Sequence, residues 1–144
     1  MTTLSILKEL PYQKPFLFVD RIIHVNEQQI TGTYTFLEDE YFYKGHQKKE
    51  PVTPGFILIE CMSQIGLVSL GIYLFRNELR DEPLGVAITD TNIHFYTSVL
   101  PGEKVTVISD KEYFKFNILK CKMVMYDSKQ NLIAKGTITA KLTP

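Results

Sequence analysis

The sequence predicts an α+β fold in which a curved antiparallel β-sheet wraps around one long central α-helix. Residues 56–75 are almost entirely apolar, whereas the segments before and after them alternate or cluster apolar and β-branched residues as strands do. A helix that is apolar on all sides has to be covered, and a sheet curled around it is the simplest cover. The chain has 144 residues, of which 44% are hydrophobic, and we expect one domain over residues 1–144.

The elements before the central helix are short. Residues 3–10 predict an amphipathic helix that is stopped by Pro11. Residues 16–25 and 29–36 predict a hairpin of two strands around the polar turn at residues 26–28. Residues 38–50 have no regular periodicity, so we expect an irregular connection into the central helix.

The central helix has a clear predicted start. Pro51 and Pro54 prevent a helix from beginning before about residue 54, and Thr53 is predicted to be its N-cap, with the helix running to about Glu78. A run this long also has the length of a membrane span. Glu60 and Gln64 lie one helical turn apart on one face, and carrying an ionisable group into lipid is costly. We therefore expect a helix buried in a soluble protein and no membrane span.

Four strands are predicted after the helix, and they imply a partner. They cover residues 84–99, 104–116, 117–126 and 132–142, with turns at Pro101-Gly102 and at residues 127–131. One sheet cannot enclose the helix completely, and its outer strands have unpaired edges. Pairing two copies of the chain would solve both problems, so we expect at least a homodimer.

Charge and cysteine content exclude several functional classes. Sixteen basic and sixteen acidic residues give a net charge of zero, so the overall charge favours neither nucleic acid nor an anionic membrane as a partner, and any charged partner must meet a local patch. Cys61 and Cys121 have no metal-ligand spacing and make no disulfide scaffold, so we expect neither a metal nor another cofactor. The first ten residues lack the features of a secretory signal, and we expect a cytoplasmic protein.

His46 and Glu60 are the candidate proton-transfer residues. Histidine titrates nearest neutrality, so His46 suits a general base. Glu60 lies in the most hydrophobic stretch of the chain, where the charged form of a carboxyl is disfavoured, so it suits a general acid. The amide of Gly55, in the first turn of the helix, suits an oxyanion, and Gln64 is stacked one helical turn after Glu60.

Each of these residues also has a structural interpretation. A histidine after a glycine is usually a turn residue, and a helical glutamate is usually a solvated charge. Glu60 fits this alternative least well, because an unpaired carboxylate is strongly disfavoured among apolar side chains. His24 and His94 lie in strand patterns and are expected at a surface or interface, whereas Cys61 is expected to be a small buried hydrophobic residue.

Taken together, these segments resemble a known family. The string from Gly45-His46 through residues 51–55 to residues 59–64 (IECMSQ) is similar to the active-site signature of the hotdog-fold β-hydroxyacyl-(acyl carrier protein) dehydratases of type II fatty acid synthesis. Residues 10–20 (LPYQKPFLFVD) are similar to that family's opening segment, and residues 92–95 through 101–103 to its strand and turn after the helix. The resemblance extends from about residue 10 to residue 142.

The resemblance implies an activity and a set of roles. It implies that His46 and Glu60 are catalytic, that the Gly55 amide binds the oxyanion and that Gln64 supports the site. Glutamate at the carboxylate position favours a simple dehydratase over one that also isomerises the double bond. The family's substrate is an acyl chain on the phosphopantetheine arm of acyl carrier protein. Lys48 and Lys49, with Lys44, are the candidate contacts for that arm or for the carrier, and a solvated loop is the alternative.

In the family each active site takes its histidine from one protomer and its carboxylate from the other. The resemblance therefore implies a homodimer or a trimer of dimers. The chain departs from the family in two places: Gln47-Lys48-Lys49-Glu50 follows His46 where an aromatic residue and a proline are usual, and Tyr12 replaces a histidine. Three alternatives stay open: a different acyl chain such as a polyene intermediate, a hotdog thioesterase, and a non-catalytic acyl-binding subunit.

Overall fold

The amino-terminal helix is fixed by its cap. In the computed structural model, which describes residues 1–46 and 49–144, helix α1 spans Thr3–Glu9. The Thr2 hydroxyl accepts a hydrogen bond from the Ser5 amide (3.1 Å), and the Ser5 hydroxyl accepts one from the Thr2 amide (2.9 Å). These reciprocal bonds satisfy two amides that have no partner within the helix. The helix ends ahead of Pro11, as predicted from the sequence.

Six antiparallel strands form one sheet. Their order across the sheet is β1-β2-β4-β5-β6-β3, so β1 and β3 are its edges. Along β5 every second side chain is buried, among them Leu119, Cys121, Met123 and Met125, as expected for a strand with one face on the core. The strands are β1 (Arg21–Val25), β2 (Gln29–Thr35), β3 (Gly85–Phe95), β4 (Lys104–Lys115), β5 (Ile118–Asp127) and β6 (Leu132–Thr143).

The central helix, Gly55–Leu74, lies against the inner face of this sheet. It consists of α2 (Gly55–Ser63), a π-helical turn (Gln64–Val68) and α3 (Ser69–Leu74). By length and composition alone it could cross a membrane, with a mean hydropathy of 1.7 in its most apolar window, but 72% of that window is buried inside the fold. This burial supports its interpretation as a core helix. An α+β fold with a sheet around one long helix is thus what the sequence predicted.

The π-helical turn is stabilised by two serine hydroxyls. The Ser69 hydroxyl donates to the Gln64 carbonyl (2.7 Å), and the Ser109 hydroxyl, from β4, donates to the Gly66 carbonyl (2.8 Å). A Cβ atom on Gly66 would lie 2.9 Å from the Ser109 Cβ, so glycine permits this close approach of helix and sheet. The turn begins at Gln64, a predicted site residue, and π-turns in helices often occur at functional sites.

Three boundaries differ from the sequence predictions by four or more residues. Residues 16–20 are not a strand, since the Gln64 side chain binds the backbone of Phe16 and Phe18 there. The helix ends at Leu74 rather than near Glu78, and β3 ends at Phe95 rather than Val99. The ring of Phe75 packs edge-on against Phe114, with ring centres 5.3 Å apart, which places the chain reversal there.

Thr53 is not the N-cap of the central helix, and that prediction was wrong. The hydroxyl of Thr53 instead shares a 2.6 Å hydrogen bond with the Tyr43 hydroxyl, and its amide donates to the Val99 carbonyl (2.8 Å). Pro54 occupies the cap position without a side-chain hydrogen bond. Two longer-range contacts therefore displaced a local capping interaction that the sequence pattern favoured.

Candidate active site

His46 lies at a cavity beside the start of the central helix. The cavity has a volume of about 380 Å³, and a second cavity of about 430 Å³ also includes His46. Nδ1 of His46 lies 2.9 Å from the Val52 carbonyl oxygen. A carbonyl can only accept, so Nδ1 carries the proton, and Nε2 of the neutral ring has a free lone pair. The first cavity is lined by His46, Val52, Thr53, Gly55, Leu58, Phe95, Tyr96, Thr97 and Ser98.

Gly55 lines both cavities with His46. It is the first residue of the central helix, so its amide has no acceptor one turn earlier in the same helix. A Cβ atom built on Gly55 would meet the Phe95 ring at 3.4 Å, which shows how closely strand β3 approaches the helix start. The structure thus brings together His46 and a helix-terminal amide, the first two of the four predicted residues.

Tyr43 and Thr53 hold the loop between His46 and the helix. Both residues are buried, and their hydroxyls are joined by the 2.6 Å hydrogen bond. Burial is the main cause that raises the pKa of Tyr43, so its phenol stays neutral. Sequence reasoning missed this pair, because the two residues are ten positions apart in a segment without periodicity. Their effect is to fix the backbone on which His46 and Gly55 depend.

Glu60 lies on another face of the helix, where Gln64 binds it. Nε2 of Gln64 donates to Glu60 Oε2 (3.0 Å) and to the Phe16 carbonyl (3.0 Å), while Oε1 accepts from the Phe18 amide (2.7 Å). Gln64 is fully buried, and its amide orientation is fixed because only Oε1 can accept from the Phe18 N–H. The carboxyl is half-buried and has a defined donor, so it is not a freely solvated charge.

Tyr12 lies on the same side as Glu60. Its ring centre is 6.4 Å from that of Phe16, whose carbonyl binds Gln64. Burial, with a smaller contribution from the Glu60 charge, raises the pKa of Tyr12 to about 12. The residue that departs from the family pattern at this position is therefore a neutral phenol at physiological pH.

Within one chain, His46 and Glu60 do not lie in a common site. In the described part of the chain, Glu60 lines neither cavity that His46 lines, and no hydrogen bond links the two residues. The first helical turn exposes Phe56, which is 86% accessible and lines the second cavity with His46. The structure therefore pairs His46 with Gly55, and Glu60 with Gln64, as two separate half-sites.

The other predicted positions among the described residues do not line the two cavities beside His46. Lys48 and Gln47 lie outside the described residues, and Lys44 and Lys49 are exposed. His24 and His94 are exposed on strands, and Cys61 is buried, as the sequence predicted. Among residues 1–46 and 49–144 there is no group of three or more histidine, cysteine or acidic side chains with the arrangement of a metal site.

Comparison of the sequence with known protein families identifies the family of this chain. The profile of the FabA-like domain matches residues 10–141. The chain belongs to the FabA-like family. It is 31% identical, over 95% of its length and 86% of the relative's, to the 3-hydroxyacyl-[acyl-carrier-protein] dehydratase FabZ of Geobacter metallireducens. It is 30% identical to the FabZ dehydratase of Lactococcus lactis subsp. cremoris, over 96% of this chain and 92% of that one.

Solved structures agree on the fold. The dehydratase heterocomplex ApeI:P of Xenorhabdus doucetiae superposes with a TM-score of 0.81 at 11% identity, covering all of this chain and 93% of that one. A hypothetical thioesterase of Streptococcus pneumoniae, solved with coenzyme A, superposes with a TM-score of 0.65 at 14% identity, covering 85% and 84%. At these identities the likeness concerns the hotdog fold alone.

Proposed function

We propose that this FabA-like protein removes water from 3-hydroxyacyl thioesters on acyl carrier protein and forms trans-2-enoyl thioesters for fatty acid biosynthesis. The observation that carries the proposal is the hydrogen bond of His46 Nδ1 to the Val52 carbonyl, in a cavity shared with the Gly55 amide. It leaves Nε2 free to accept a proton beside a donor for an oxyanion. Relatives named as such dehydratases match nearly the whole chain.

Each residue has one role in the proposed reaction. Nε2 of His46 removes a proton from the carbon next to the thioester carbonyl, and the Gly55 amide stabilises the negative charge that develops on the carbonyl oxygen. The electron pair then forms the double bond as the 3-hydroxyl leaves. Glu60 protonates that hydroxyl, directly or through a water, so the products are the enoyl thioester and water. Gln64 holds the Glu60 carboxyl in position.

The separation of the half-sites supports a homodimer in which Glu60 of the partner subunit completes the site of His46. Strand β3 is a sheet edge of eleven residues, nine of which are exposed, and it is paired on one side only, with β6. Phe56 and Phe95, beside the His46 cavities, are 86% and 46% accessible. Pairing of β3 with a second copy would cover the free edge and these rings together.

Replacing Phe56 by aspartate tests the dimer. Because Phe56 is exposed in one chain, we expect the Phe56→Asp protein to fold but to sediment as a monomer without dehydratase activity. Leu4→Asp, at another exposed apolar residue (70% accessible), is the control and should leave the dimer intact. An active Phe56→Asp dimer would count against this interface.

The carrier and the location complete the proposal. The exposed Lys49, together with Lys44, supports a contact with the phosphate of the phosphopantetheine arm or with the acidic face of the carrier. A cytoplasmic location, where type II fatty acid synthesis takes place, is part of the proposal. Charge reversal at Lys44 and Lys49 is expected to raise KM for carrier-linked substrates more than for small thioesters; equal effects would speak against the contact.

A two-channel assay tests the activity itself. A 3-hydroxybutyryl thioester would be incubated with the protein while enoyl absorbance and free thiol are followed in parallel. Enoyl formation without thiol release is the expected result. Thiol release without enoyl formation would assign a hotdog thioesterase, and acyl binding without either product would assign a non-catalytic subunit.

A further inference from the structure

The turn between β4 and β5 contains a residue that the backbone conformation does not favour. Phe116 and Asn117 form this two-residue turn, with φ angles of 53° and 60°. Turns of this kind require positive φ at both positions and prefer asparagine, aspartate or glycine. A bulky aromatic residue with positive φ is an outlier, and such strain is a reason to look for a function. Asn117 fits the turn, whereas Phe116 does not.

The side chain of Phe116 makes almost no contacts within the fold that would offset its unfavourable backbone conformation. Its side chain is 93% accessible, so the ring contacts almost none of the core. The preceding aromatic residue, Phe114, is by contrast half-buried and packs on Phe75 (5.3 Å between ring centres). The tip therefore presents a large apolar side chain to the surroundings at a position where a polar residue would stabilise the turn better.

Lysines occur next to this turn on one face of the sheet. Directly opposed residues of neighbouring strands share a face, and the register places Lys115 opposite Ile118, and Ile118 opposite Lys141 of β6. Two residue pairs further along, and therefore on the same face, Tyr113 lies opposite Lys120. We call this set the hairpin-tip patch: Tyr113, Lys115, Phe116, Ile118, Lys120 and Lys141.

The charge of the hairpin-tip patch is positive. Glu112 forms an ion pair with Lys120 (3.5 Å), while Lys115 and Lys141 are exposed. Although the whole chain is neutral, the end of the β4-β5 hairpin thus combines two exposed cations with an exposed aromatic ring. Three exposed side chains at the end of a hairpin do not enclose a small ligand. They fit a broad surface that offers an apolar layer directly below a layer of negative charge.

We propose that the hairpin-tip patch is a contact site for an anionic lipid surface. Phe116 would enter the boundary between headgroups and acyl chains, with Tyr113 at headgroup level, while Lys115 and Lys141 meet the anionic headgroups. One ring and a few lysines give weak and reversible attachment that depends on ionic strength. The protein would thereby sample the membrane surface without a spanning segment.

Vesicle sedimentation tests the proposal on the full-length protein. With vesicles of phosphatidylcholine and phosphatidylglycerol in equal amounts, at low salt, we expect binding that phosphatidylcholine vesicles alone do not support. Phe116→Asn should weaken the binding about tenfold, because it removes the inserted apolar area. Because asparagine suits a positive φ, the same substitution should stabilise the turn. We therefore expect weaker binding without a loss of thermal stability. Lys115→Ala should weaken binding about fivefold.

Matched controls lie at the opposite end of β4. Lys104→Ala and Leu100→Asn remove an exposed lysine and an exposed apolar residue there, and both should leave vesicle binding unchanged. Failure of the native protein to bind anionic vesicles, or equal binding by Phe116→Asn, would overturn the proposal. Phe116-dependent binding to an acidic carrier protein without vesicle binding would also overturn it and would assign the patch to a protein partner.

The absence of tryptophan provides a second readout. Since the sequence contains no tryptophan, Phe116→Trp would introduce a single fluorophore at the tip. We expect its emission to shift to shorter wavelength, and to become protected from an aqueous quencher, when anionic vesicles are added. Leu100→Trp is the matched control and should show neither change. An unshifted, fully quenchable tryptophan at position 116 would contradict insertion.

Discussion

The His46 half-site, which lies before the start of the central helix, and the Glu60 half-site on that helix are held in different ways. On the Glu60 side, the buried amide of Gln64 makes three hydrogen bonds: one holds the Glu60 carboxyl, and two tie the helix to the backbone of Phe16 and Phe18. On the His46 side, one hydrogen bond to Val52 orients the ring, and two cavities occupy the remaining space. The comparison indicates that the Glu60 side is held by hydrogen bonds before substrate binds, whereas the His46 side has space for the substrate.

Removing either proton-transfer group should have the largest effect. We expect His46→Ala and Glu60→Gln each to lower kcat for dehydration by about a thousandfold, since general acid and base groups contribute about 10² to 10⁴ each. Steady-state kinetics with a 3-hydroxyacyl thioester would measure this. Thermal unfolding should change little in both variants. Full activity in either variant would remove that residue from the mechanism.

Removing the Gly55 amide N–H should have the second-largest effect on turnover. Gly55→Pro removes the N–H but suits the first position of a helix, and the preceding Pro54 already has the φ of −58° and ψ of 140° that a following proline requires. We expect kcat to fall about a hundredfold. Gly55→Ala keeps the N–H, and its Cβ would meet Phe95 at 3.4 Å, so its loss should be much smaller. Equal losses would indicate crowding rather than a lost donor.

On the anchored side, stability rather than turnover should respond first. Gln64→Leu leaves the Phe16 carbonyl and the Phe18 amide without their partner, and we expect a decrease of about 2 to 4 kcal/mol in the free energy of unfolding. Denaturant unfolding would measure it. The control is Ser63→Ala: within the described residues the buried Ser63 hydroxyl has no hydrogen-bond partner, so its removal should cost little.

A smaller effect is expected at the loop that supports His46. Tyr43→Phe breaks the hydrogen bond to Thr53, and we expect a loss of about 1 kcal/mol in stability. Because the Thr53 backbone adjoins the helix start, kcat should decline a few-fold as well. Tyr41→Phe, at an exposed tyrosine in the same segment, should change neither quantity. A similar response from both variants would exclude a specific role for the buried pair.

Local pattern accounts for what the sequence predicted. The uninterrupted apolar run specifies the central helix, alternation specifies the strands, and Glu60 and Gln64 at helical spacing predict their contact, which Gln64 Nε2 confirms at 3.0 Å. The contacts that pattern could not predict join residues far apart in sequence. Gln64 binds the backbone 46 and 48 residues earlier, and this bond replaces the strand predicted over residues 16–20. Its signal was an amide in an apolar helix, which requires buried partners.

The central claim is that each active site combines His46 of one subunit with Glu60 of the other. Co-expressing His46→Ala and Glu60→Gln chains with different affinity tags would allow the mixed dimer to be isolated. Such a dimer contains one site with both residues intact and one with neither, so we expect about half the activity of the native dimer, although each parent dimer is inactive. A mixed dimer as inactive as its parents would contradict a shared site.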